Sequence, residues 1–143
     1  MNEANAFTEE DIKRLRKSED RRLASRRILL PRDTNHRGEI FGGALLAEMD
    51  LAGAMEARHH TSHDVATVAF KDVAFDHPVK VGDVVSFWTE LVKVGRTSIT
   101  VFISVESSRN GTDDAVHCAH AMAVYVAVKV NGLGQLVATP LLP

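Results

Sequence analysis

The chain has 143 residues, 45% of them apolar, which suits one domain with an ordinary core and makes a second domain unexpected. A formal net charge of -2 excludes a global field that would gather nucleic acid or anionic lipid, so any basic site must be local. The single cysteine, Cys118, excludes an internal disulfide and fits a reducing compartment, and no stretch approaches the roughly 18 apolar residues of a membrane span; a cytoplasmic protein without membrane or nucleic-acid partners is expected.

At the N-terminus, Thr8 followed by Glu9, Glu10 and Asp11 reads as a helix start, with Phe7 and Ile12 placed as a hydrophobic staple. A charged helix is expected to run to about Leu23, with a thin apolar stripe at Ile12 and Leu15 that keeps it peripheral. Arg26 to Leu30 reads as a short strand that Pro31 ends, and Arg32 to Ile40 as a polar, turn-prone functional loop. From Gly42 to about His60 good helix formers dominate, apolar almost all round, so a long buried helix is predicted. Beyond it, 65–75, 83–94, 97–108 and 115–130 are rich in β-formers and separated by His77-Pro78, Gly82-Asp83, Gly95 and Asn110-Gly111, which implies an antiparallel meander. Pro140 to Pro143 reads as a loose tail. The chain thus divides into a helical extension (1–24), a main domain (25–139) and the tail (140–143).

One long apolar helix and five to six strands have one economical packing, an α+β arrangement in which the antiparallel sheet wraps around the central helix, with the N-terminal helix as an extra. That is the hotdog architecture. A free sheet edge makes self-association the expectation.

Two acids lie in the middle of the helix, Glu48 and Asp50, and at about 100° per residue they point to nearly opposite sides. The face of Glu48 continues to Glu56 and His59 and reads as the wetter one. Around Asp50 the helical neighbours are Gly43, Leu46, Ala47, Gly53, Ala54 and Ala57, an apolar setting in which a carboxylate must have a partner. Periodicity leaves two readings open, a structural carboxylate paired with a buried donor or a catalytic one. Free N–H groups at the start of the same helix can hold a developing oxyanion, and Gly42 and Gly43 remove the side chains that would block a carbonyl; the glycine pair also fits plain tight packing. The turn Gly95-Arg96-Thr97-Ser98 offers a cation, two hydroxyls and backbone amides for a phosphate, and equally reads as a solvated hairpin turn. His59 and His63 have i, i+4 spacing without a further ligand, so no metal is expected. Cys118 and His117 point to opposite faces of a strand, and there is no G-x-S-x-G elbow, so neither cysteine nor serine nucleophilic chemistry has support.

The run P-x-D-T-N-x-x-G-x-I-F-G-G at 31–43, followed by M-D-x-x-G at 49–53, resembles the YciA-like acyl-CoA thioesterases, and the likeness extends from Leu29 to about Val130 through Val73-Ala74-Phe75, Pro78, Val81-Gly82-Asp83 and the turn at 93–98. The resemblance implies hydrolysis of acyl-CoA by hotdog dimers, commonly trimers of dimers. It implies Asp50 as the catalytic carboxylate, Asn35 as its helper in placing water, the Gly43 N–H as oxyanion donor, Phe41, Gly42 and Ala44 around the acyl group, and Gly95, Arg96, Thr97 and Ser98 on the coenzyme A end. No cofactor is implied, coenzyme A being part of the substrate. Ala44, where some relatives carry a bulky aromatic, and the longer N-terminal helix are departures that bear on substrate choice. Two other readings remain: a non-catalytic acyl-CoA-sensing domain, and a hydratase, for which His36 is the one histidine near the helix start.

Gly43 and Asp50 lie on one helical stripe about 10 Å apart along the axis, too far to act on one carbonyl carbon. Two antiparallel helices related by a two-fold axis would resolve this, each pair of protomers sharing two equivalent sites.

Overall fold

The computed structural model of the chain describes residues 7–109 and 114–142; the Asn110-Gly111 turn signal lies outside them. Helix α1 spans Glu9–Arg16 and begins in a capping box, the Thr8 hydroxyl accepting from the Asp11 N–H at 3.1 Å and the Asp11 carboxylate from the Thr8 N–H at 3.0 Å. It stops well before Leu23, and residues assigned to it by composition form strand β1, Arg22–Ile28. Tertiary contacts override propensity here. Ser18 donates to Glu90 at 2.5 Å and accepts from the Asp20 N–H, which turns the chain. Arg21 then lies over the Trp88 ring at 4.1 Å and pairs with Glu106 at 3.3 Å. The helix start and the stripe behave as expected: Thr8 is the cap, and Leu15 is buried with Phe102 and Met122 in a small cluster apart from the main core.

After a 3-10 turn at Pro31–Asp33, helix α2 occupies Gly42–Arg58, followed by β2 (Asp64–Phe75), β3 (Val84–Val94), β4 (Ser98–Ser108), β5 (Val116–Val130) and a short β6 (Leu136–Ala138). The strands form one six-stranded antiparallel sheet in the order β1-β3-β4-β5-β2, with β6 beside β5. The meander expectation holds for β3, β4 and β5 and fails for β2. Because β3 takes β1 as its other neighbour, β2 is displaced to the far edge and pairs with β5. Strands β1 and β2 each leave one edge open.

Helix α2 lies on the sheet with Leu45, Met49, Ala52, Gly53, Glu56 and Ala57 buried beneath it. Small residues set the approach distance. A Cβ at Gly53 would overlap the Tyr125 hydroxyl and crowd Ile103, so only glycine lets the helix sit this close to β4 and β5. The opposite stripe, Gly43, Ala47, Leu51 and Met55, is exposed, Leu51 at 58%. A helix apolar all round was expected to be buried all round, but one curved sheet covers only one side of it.

Nor is the Glu48 side the wet one. Glu48 pairs with Arg27 of β1 at 2.7 Å, and Glu56 is 2% exposed, held by Arg22 at 3.0 Å, the His60 ring at 2.7 Å and the Thr89 hydroxyl at 3.0 Å. Burial acts to raise the Glu56 carboxyl, but the hydrogen bonds from His60 and Thr89 and the charge of Arg22 outweigh it and leave it below its ordinary value. Its contribution to stability is therefore complete at neutral pH and is lost as acid carries the pH down through that lowered value. At the other end of the chain, the expected loose tail is anchored at Leu141, which is buried, donates from its N–H to the Arg96 carbonyl at 3.1 Å and accepts from the Thr61 hydroxyl at 3.0 Å.

Glu56→Ala removes three polar contacts and leaves the buried Thr89 hydroxyl unpaired, while Arg22, half exposed, can return to water. The expected loss is about 2–3 kcal/mol, read from the urea midpoint at fixed protein concentration; an unchanged midpoint would show that the network adds nothing net.

Candidate active site

The loop from Asp33 to Phe41 is built to present the start of α2. Asn35 accepts through its side-chain oxygen from the N–H groups of Arg37 at 2.8 Å and Glu39 at 3.2 Å, closing a tight turn in which Gly38 takes φ 77°. The Phe41 N–H donates to the Asp33 carbonyl at 2.7 Å and the Ile40 N–H to the Val79 carbonyl at 2.7 Å, so the loop is tied to both its own beginning and the segment after β2. Phe41 is the N-cap and has no polar side chain, so no side chain caps the first turn. Its carbonyl takes the N–H groups of Ala44 and Leu45. Gly43 is exposed at this end, with the Phe41 ring lying where its side chain would be. Asn35, Gly42, Leu45, Phe75 and Pro78 line a cavity of about 310 Å³ beside it. Ala44 is half buried and packs against the core.

Asp50 lies further along the helix, on the flank facing β2. Its carboxylate accepts from the Thr67 hydroxyl at 2.7 Å and from the Tyr125 hydroxyl at 3.2 Å, and Tyr125 also donates to the Asp50 carbonyl at 2.9 Å. Burial, and then the neighbouring Asp50, push the Tyr125 hydroxyl far above its ordinary range, so it acts as a neutral donor at any working pH. Both partners are hydroxyls, and among the described residues no ion pair to Asp50 forms. The carboxylate is thus oriented while its charge stays uncompensated, which is what a base or nucleophile needs. Thr67 and Tyr125 carry no motif, and reasoning from sequence misses both. Tyr125 alone has a signal: it is the single tyrosine, in a long apolar strand, and a buried phenol needs a hydrogen-bond partner.

Within one chain these groups do not converge. Asn35, Gly42 and the exposed Gly43 gather at one end of α2, while Asp50 sits level with Thr67, opposite Tyr125 in the β2–β5 register. The turn at Gly95, Arg96, Thr97 and Ser98 is further still from the cavity. Ser98 is opposite Val126 and Phe75 opposite Ala119 along β5, a separation of roughly 23 Å at strand rise. In that turn the Gly95 N–H donates to the Ser98 carbonyl at 2.8 Å, the carbonyls of Arg96 and Thr97 receive the N–H groups of Leu141 and Ala127, and the Arg96 residue remains exposed.

Cys118 faces inward, its sulfur 3.0 Å from the Ser107 hydroxyl, and burial pushes the thiol up. That is the environment of an inert cysteine.

Residues 37–113 match the thioesterase superfamily. Among curated proteins the chain is similar to the acyl-CoA thioester hydrolase YciA of Salmonella typhimurium, 37% identical over 113 residues, covering 77% of this chain and 85% of that protein. Among solved structures it is similar to the hexameric thioesterase y2039 from Yersinia pestis, with a TM-score of 0.74 and 34% identity over 87% of this chain and all but 1% of the other, which it covers to 99%. The acyl-CoA hydrolase of Staphylococcus aureus superposes with a TM-score of 0.71 and 25% identity, over 87% of this chain and 75% of that one. It has been solved with an aspartate replaced by alanine and, separately, with a threonine replaced by alanine; the two positions are 17 residues apart, the separation of Asp50 and Thr67 here. The motif, the matched segment and the identity over most of the chain place this protein in the thioesterase superfamily, among the YciA-like acyl-CoA thioesterases of the hotdog fold.

Proposed function

We propose that the protein hydrolyses acyl-CoA to the free acid and coenzyme A in a site shared between two protomers. The observation that carries this reading is the Asp50 carboxylate, held by two hydroxyls on the flank of α2 beside an open sheet edge, while the uncapped start of the same helix lies about 10 Å away. Pairing β2 with β2 of a second copy would satisfy that edge and cover the exposed apolar residues Leu51, Met55 and Val68. The thioester carbonyl then rests on the Gly43 N–H of one protomer, with Gly42, Phe41 and Ala44 around the acyl group and Asn35 placing water. Asp50 of the partner subunit activates that water or attacks the carbonyl carbon directly. Thr67 and Tyr125 act as positioning residues for the carboxylate. The turn at Gly95, Arg96, Thr97 and Ser98, remote from the cavity of its own chain, serves the nucleotide end of a substrate bound in this shared site. The similarity to proteins described as hexameric supports assembly of such dimers into a homo-oligomer.

Asp50→Asn keeps shape and removes the base, so kcat should fall by about 10²–10⁴-fold with folding and acyl-CoA binding retained. Glu48→Gln, on the side paired with Arg27, should lose little. Thr67→Val loosens the carboxylate, and a kcat loss approaching about 10²-fold with KM little changed is expected. Free CoA release across acyl chain lengths reads all three. Full activity of folded Asp50→Asn would sink the mechanism, and stoichiometric binding by the wild type without CoA release would make the protein a sensor instead.

Sharing of the site is tested by mixing Asp50→Asn with a second inactive variant, Gly43→Val, whose side chain blocks the carbonyl position. In a mixed dimer one site carries both defects and the other neither, so activity should return toward about half per mixed dimer. No recovery, with subunit exchange shown separately by mass, means that each protomer carries its own complete site.

A further inference from the structure

On the face of the sheet away from α2, the side chains of His117 and His120 converge with that of Asp76, which follows β2 and also borders the cavity at the start of α2, and no step proposed above uses the three. Their ligand atoms form a near-equilateral triangle: Asp76 Oδ2 is 3.3 Å from His117 Nε2 and 3.5 Å from His120 Nδ1, and the two imidazole nitrogens are 3.4 Å apart. All three separations are long for charge-assisted hydrogen bonds, which close to about 2.7–2.9 Å. They match the edge of a tetrahedron around a cation with bonds of about 2.0–2.1 Å, which is roughly 3.3–3.4 Å. We propose that Asp76, His117 and His120 form a binding site for one divalent first-row transition metal ion of the Zn²⁺ type, with a fourth position open to water or an outside ligand.

The backbone is organised to hold this triangle. The β4–β5 ladder slips at Cys118, with Val105 opposite Ala119 but Glu106 opposite His117, and this bulge turns the residues three apart, His117 and His120, to the same face. Their rings lie 5.6 Å apart at 27°, and the Phe102 ring stacks on His120 at 6.0 Å. The extra residue also anchors the third ligand, its carbonyl accepting from the N–H of Asp76 at 2.7 Å and of His77 at 3.2 Å just where β2 ends. Bulge and strand end are therefore one device. Burial lowers both imidazoles from their ordinary value, and a metal-ligating imidazole is the neutral form. Arg16 opposes a cation, while the carboxylates of Asp76 and Asp72 favour one. Two neutral donors and a carboxylate suit a borderline ion better than Ca²⁺ or Mg²⁺, which take oxygen. Asp76, about half exposed, gives a path in from solvent.

The test uses the full-length protein stripped with chelator and titrated with Zn²⁺ alone by calorimetry, and with Co²⁺ by its visible absorption. One equivalent per chain is expected, with a rise in Tm, because binding to the folded state alone stabilises it. Asp76→Asn and His120→Gln should each weaken binding at least about a hundredfold, and His59→Gln, an exposed histidine on the other side of the sheet, should not. Absence of saturable binding by the wild type, or equal binding by Asp76→Asn and His120→Gln, overturns the site. Should His120→Gln fail to fold, Asp76→Asn decides alone, since its carboxylate lies half in solvent.

Discussion

Much of this structure depends on the contact between Gly53 of α2 and Tyr125 of β5. With no Cβ at 53, the helix comes close enough for the phenol to reach the Asp50 carbonyl and carboxylate together. A neutral donor placed there orients a carboxylate without cancelling its charge, a different outcome from the ion pair a lysine or arginine would make. The same helix shows both treatments of an acid. Glu56, on the sheet side, is wrapped by Arg22, His60 and Thr89; Asp50, on the flank, is held by hydroxyls alone, the setting that the proposed mechanism asks of it.

The second constraint is incomplete coverage. A six-stranded sheet curves around one side of a 17-residue helix and leaves the stripe Gly43, Ala47, Leu51 and Met55 in the open, next to the unpaired edge of β2. Exposed apolar surface and an unpaired strand edge together are unfavourable in a lone chain. Both are relieved by one contact with a second copy. The uncapped N-terminus of α2 and the Asp50 carboxylate border that same surface, so burying it and completing a site are one event in the proposed assembly.

The β5 bulge at Cys118 organises the opposite face of the sheet. One extra residue sends the thiol inward to Ser107, turns His117 and His120 outward, and offers a carbonyl that captures the end of β2. A regular strand would have put His117 and His120 on opposite faces.

By itself the sequence determined the elements that rest on local chemistry: the helix start at Thr8, the start of α2 at paired glycines, and four long strands bounded by turn residues, all recovered within a residue or two. It also determined family and fold, because the motif at 31–43 and Met49-Asp50 is read in order along the chain. Only the tertiary structure decided what depends on residues far apart. The N-terminal helix gave way to β1 because Arg21 found Trp88 and Glu106; β2 moved to the far edge because β3 had already paired with β1; Glu56 was buried because three partners from other elements met it. Thr67 and Tyr125 beside Asp50, and Asp76 beside two histidines, were invisible for the same reason. Each depends on register and approach distance, which a linear pattern does not contain.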